Sequence, residues 1–83
     1  MTRDEAYRLI NCERAVQSLR WAGEHDWGSG DCSSDGVDEP VKVAVLTEEV
    51  GEVARAMLDG DRAGLRRELV QVAAVAVAWL ESL

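Results

Sequence analysis

The feature that most constrains this chain is Leu69 to Leu80, which reads Leu-Val-Gln-Val-Ala-Ala-Val-Ala-Val-Ala-Trp-Leu. A helix over this stretch is apolar on every side, and a helix of that kind has to be covered all round. The chain has 83 residues, enough for one domain over residues 1–83. A domain of that size buries only about 60% of its unfolded surface. Two further helices can hardly enclose the third, so the pattern predicts a homo-oligomer, a dimer or tetramer whose subunits complete a helical bundle. Trp79 belongs to that covered helix and reads as core.

The fold class follows from the flanking stretches. Thr2-x-x-Glu5 has the form of a capping box, so a first helix is expected from about Arg3. Ala6, Leu9, Ile10, Cys12, Val16, Leu19 and Ala22 recur at helical spacing to about Gly23, opposite a solvated face bearing Arg8, Arg14 and Arg20. From Glu24 to Glu39 the periodicity stops. The stretch carries six acidic residues, three Gly, three Ser and no Lys or Arg, the composition of a solvated loop with a tendency to disorder. His25 reads as solvated there. Asp38-Glu39-Pro40 then restarts a helix with an acidic cap and a first-turn proline.

On this second helix Val43, Leu46, Val50, Val53 and Met57 form a core stripe, beside a parallel stripe of Lys42, Val45, Glu49, Glu52 and Ala56. Gly51 sits mid-helix, at a cost of about 1 kcal/mol relative to Ala. Either a close helix–helix approach or room beside a metal site accounts for it. Asp59-Gly60 ends this helix and Asp61 caps the third. The predicted architecture is all-α: a helix, a long acidic loop and a helical hairpin.

The hairpin carries the chemistry. Glu49 and Glu52 are three apart, as are Glu68 and Gln71, so each pair shares one helix face. A turn at Asp59-Gly60-Asp61 brings the two pairs together. Carboxylate couples projecting from facing helices are a known way of holding metal in a bundle. Four close negative charges on Glu48, Glu49, Glu52 and Glu68 repel and call for a counter-ion. Mg²⁺, a hard cation that prefers carboxylate oxygen, suits them, and Mn²⁺ is the substitute; the absence of His and Cys weighs against zinc. A lone EExxE would instead be an ordinary solvated helix face, and the second pair is what argues otherwise.

EExxE, a gap of fifteen residues, then ExxQ resembles the EExxE…ExxD signature of the MazG-like, all-α nucleoside triphosphate pyrophosphohydrolases. The resemblance covers about Val41 to Leu83 and departs at Gln71, where the family has Asp. It implies Mg²⁺-dependent hydrolysis between the α- and β-phosphates of a nucleotide, giving a monophosphate and pyrophosphate. By matching positions it makes Glu49, Glu52, Glu68 and Gln71 metal ligands. Glu48 becomes a second-metal ligand or the base that activates water. Lys42 either reaches a phosphate or extends beside the carboxylates. Trp21, and less readily Trp27, either stacks on a base or packs. A non-catalytic nucleotide- or metal-binding member and a plain helical dimerisation module are the rival readings.

Composition narrows the partners. A net charge of −7 disfavours a nucleic-acid polymer, which needs clustered Lys and Arg, but leaves a small nucleotide carried in with metal. Cys12 and Cys32 form no CxxC and read as reduced thiols in a cytoplasmic protein. No apolar segment of a signal peptide follows Thr2-Arg3-Asp4-Glu5, and no run is long enough to span a membrane. Asp31-x-Ser33-x-Asp35-Gly36 matches the start of an EF-hand loop, but the twelfth position, where a bidentate Glu is needed, is Lys42.

Overall fold

A computed structural model describes the chain from Met1 to Leu83. It contains three long helices, α1 (Arg3–Arg20), α2 (Glu39–Leu58) and α3 (Arg62–Glu81), with a two-residue hairpin between the first two. The all-α class holds. No helix is long and apolar enough to cross a membrane.

The helix ends follow from local chemistry. Thr2 and Glu5 exchange the two hydrogen bonds of a capping box at the start of α1. α1 stops at Arg20, short of Gly23. α2 begins at Glu39 with Pro40 in its first turn, and its N-cap Asp38 makes no side-chain capping bond. Gly60, at φ +66°, turns the chain after α2 in the left-handed region that glycine enters freely. Asp61 then accepts from Gly64 N at 2.8 Å and caps α3.

α3 is the central element. It packs against both α1 and α2, whose own backbones stand apart from each other. Its inward residues are small, with Ala74, Val75 and Ala78 buried, and Val45 and Leu46 of α2 close against Val75, Ala78 and Cys32. The covering is incomplete: Leu69, Val77 and Leu80 of α3 remain exposed in the single chain.

Two expectations are corrected here. The stretch from Glu24 to Glu39 is not an open loop. Glu24–His25 pairs antiparallel with Gly28–Ser29, Gly28 bridges to Val37, and Asp31, Cys32 and Val37 are buried. Gly28 permits this because a Cβ there would lie 2.5 Å from the Gly36 carbonyl oxygen. The faces of α2 are also rotated from the predicted assignment. Lys42, Val45, Glu49 and Ala56 turn inward, while Val43, Val50 and Met57 lie exposed. Lys42 is buried, and its ammonium donates to Ser82 Oγ at 2.8 Å, at the C-terminal end of α3. That end of α3 is the negative end of its dipole, which suits a cation.

A cleft between two helices over a third

Because α1 and α2 stand apart over α3, a cleft of about 620 Å³ opens between them. α2 contributes Glu48, Glu49 and Val45, α1 contributes Gln17 and Arg20, and α3 forms the floor with Gln71 and Val75. Trp21, Trp27, Asp31 and Cys32 close the remaining side.

Glu49 is half-buried on this wall. Burial pushes its carboxyl above the ordinary range, and the charges of Glu68, Glu48, Glu52 and Glu13 push it further. The charges that act on Glu49 thus come from all three helices, Glu13 of α1 among them. As the side chains stand, no three of them converge closely enough to hold an ion.

Gln71 is tied on both sides. Its Nε2 donates to Glu13 Oε1 at 2.7 Å, and its Oε1 accepts from Gln17 Nε2 at 3.3 Å. The residue thus links α3 to α1, with the charge absent from position 71 supplied close by as Glu13. Lys42 does not line the cleft; its bond to Ser82 commits it elsewhere. The cation at the cleft is Arg20.

The hairpin side is held by Arg14, which was expected in solvent. Its Nη1 donates to Asp31 Oδ2 at 2.8 Å and its Nε to Glu81 Oε2 at 2.7 Å, joining α1, the hairpin segment and the end of α3. Burial opposes ionisation of Asp31, but hydrogen bonds from Ser33 and Arg14 prevail and hold its carboxyl below the ordinary range. With Oδ1 taken by Ser33 and Oδ2 by Arg14, Asp31 serves the turn as an anchor rather than opening an EF-hand loop. Cys32 beside it is a free, buried thiol, pushed up by burial and by the Asp31 charge.

Trp21, His25 and Trp27 form one aromatic group at the mouth, with centroids 5.4 Å apart for the two tryptophans and 4.0 Å for His25 and Trp27. His25 is half-buried, not solvated. Its Nε2 donates to the Gly30 carbonyl at 2.7 Å, and Nδ1 is buried without a protein partner.

Glu13, Gln17 and Arg20 were missed as site residues. Their spacing of four and three puts them on one helix stripe, a signal overshadowed by the apolar repeat along the same helix. No protein family matches the chain, and neither a curated protein nor a solved structure is similar to it.

Proposed function

We propose that the cleft takes a nucleoside polyphosphate together with Mg²⁺, or Mn²⁺ in its place, and hydrolyses it between the α- and β-phosphates. The observation that supports this reading is Glu49: a half-buried carboxyl crowded by carboxylates from all three helices, on a cleft whose far side is aromatic. The resemblance of Glu48–Gln71 to the MazG-like signature supports the same chemistry.

An all-oxygen, anionic donor set suits a hard cation. Glu49, Glu52 and Glu68 would hold it, with Gln71 offering a neutral carbonyl oxygen, after rotamer changes of the kind common on binding. Bound there, the ion would neutralise phosphate oxygens and make a water more acidic. Glu48, exposed at the cleft, takes the proton as the water oxygen forms the new P–O bond and the bridging P–O bond breaks. Trp21 and Trp27 offer faces to a base, and Arg20 supplies the positive charge that Lys42 does not. Two or four copies of the chain form the working unit, a reading supported by the exposed apolar residues of α3.

A second reading, binding without turnover, is favoured by one observation. Both ends of the Gln71 amide are already engaged, so coordination by its oxygen competes with the bond from Gln17. Pyrophosphate release from a panel of nucleoside triphosphates with Mg²⁺ separates the two. Glu49→Gln, Glu52→Gln and Glu68→Gln are each expected to lower release at least about a hundredfold, the scale of losing one electrostatic contributor. Mg²⁺-linked stabilisation without release supports the binding reading; neither effect in any protein leaves a helical interaction module.

A further inference from the structure

A second hollow lies away from the cleft and shares none of its lining residues. The N-terminal halves of α1 and α3 enclose a trough of about 390 Å³, with Ala6 and Ile10 on one side and Leu65, Leu69 and Val70 on the other. Ala6 and Ile10 are one helical turn apart, and so are Leu65 and Leu69, so each helix lays one apolar row along the trough. The volume falls at the lower end of the range of small-molecule sites, roughly 300–1,000 Å³.

The rim carries charge of one sign. Arg62 and Arg66, again one turn apart, are the only charged residues that line the trough. Both are exposed, and neither takes part in an ion pair, since the three ion pairs of the chain belong to Arg14 and Arg67. Two unpaired guanidinium groups beside an apolar hollow complement an anion with a hydrocarbon tail. Each guanidinium can hold a carboxylate through paired N–H donors, and the apolar rows remove the tail from water.

Size selects the occupant. A stable protein interface takes about 20–30 residues from each side, whereas this trough is lined by 8. An anionic bilayer attracts polybasic segments and repels a chain of net charge −7. Along α3, from Arg62 to Val70, the trough runs about 12 Å. An extended chain advances about 1.2 Å per bond, so about ten carbons span it.

We propose that the trough between α1 and α3 binds one molecule of an unbranched carboxylic acid of medium length, its head on Arg62 and Arg66 and its tail between the two apolar rows. Neither metal nor nucleotide takes part, so the site stands or falls separately from the chemistry of the cleft.

The test is calorimetric titration of the whole chain with decanoate at neutral pH, below its micellar range. One equivalent is expected to bind. Octanoate, two methylenes shorter, is expected to bind about tenfold more weakly. Decanol, which has the tail without the charge, is expected to lose about tenfold as well. In the double variant Arg62→Gln, Arg66→Gln the preference for decanoate over decanol is expected to vanish, while the melting temperature without ligand stays, because neither side chain is paired. Methyl NMR of the native protein is expected to show decanoate-induced shifts at Ile10, Leu65, Leu69 and Val70, and none at Val45 and Val75 of the cleft. That readout needs no variant. Absence of binding, or equal affinity of the native protein for decanoate and decanol, overturns the proposal. So do shifts confined to Val45 and Val75. A molecular mass that falls in light scattering as decanoate is added also overturns it, by showing that a second copy of the chain fills the trough.

Discussion

Glu49 and Asp31 are carboxylates on the walls of one cleft, and their surroundings drive them in opposite directions. Asp31 is hydrogen-bonded and ion-paired, so it adds stability that is complete at neutral pH and lost as the pH falls through its depressed value. Glu49 is desolvated among like charges, so the folded state holds its proton more tightly than the unfolded chain does. Its ionised form therefore costs stability, and the cost appears as the pH rises from the ordinary carboxylate range through the raised value. In EDTA at pH 7, Glu49→Gln is expected to melt a few degrees higher than the native protein. Below about pH 4, where the unfolded carboxylate is itself protonated, the two should melt together. Thermal melts at the two pH values check this, and a lower melting temperature for the variant at pH 7 would refute it. Little of this contrast is legible in the sequence. The grouping of Glu49 with Glu52 and Glu68 can be read from helical spacing. The environment of Asp31 cannot, because Arg14 lies seventeen residues away and on another element.

At the scale of elements, Arg14 ties α1 to the hairpin segment and to the last turn of α3. Arg14→Met keeps most of the side-chain stem but leaves Asp31 buried without its cation. Leaving a part-buried charge unpaired in this way costs about 1–3 kcal/mol, which urea unfolding would report as a lower midpoint at unchanged slope. Arg14→Met with Asp31→Asn should recover part of the loss, because the uncompensated charge is then gone. Equal stability of native and Arg14→Met proteins would show that the tie carries nothing. The three helices and the Asp59-Gly60-Asp61 turn are legible because caps, glycine and periodicity are local signals. The face that α2 presents to α3 is not, since Lys42 lies on the buried side and Val50 on the exposed one. Hydrophobicity alone ranks those two in the wrong order; the reach of Lys42 to Ser82 reverses it. The Glu24–Glu39 segment was likewise misjudged, because its order comes from backbone bridges, one distant arginine and the burial of only two apolar residues, Cys32 and Val37, in an otherwise polar stretch.

At the scale of the whole molecule, only 10 of 83 residues are buried and none of the large side chains is fully enclosed. A chain with so small a core draws stability from association, and stability linked to association depends on concentration. The melting temperature is expected to rise by several degrees between about 1 and 100 µM protein; a value independent of concentration would mean that the single chain is sufficient. The separation of α1 from α2 has a different kind of consequence. The walls of the cleft are joined through α3 and through the hairpin segment that Arg14 holds to α1, so the side-chain bonds of α1 set the width of the cleft. Those bonds form one network: Gln17 and Glu13 hold the Gln71 amide, and Arg14 donates to Gln17 Oε1 at 3.2 Å as well as to Asp31 and Glu81. A group that takes hydrogen bonds from Gln71 therefore competes with the same network that ties down the Asp31 segment.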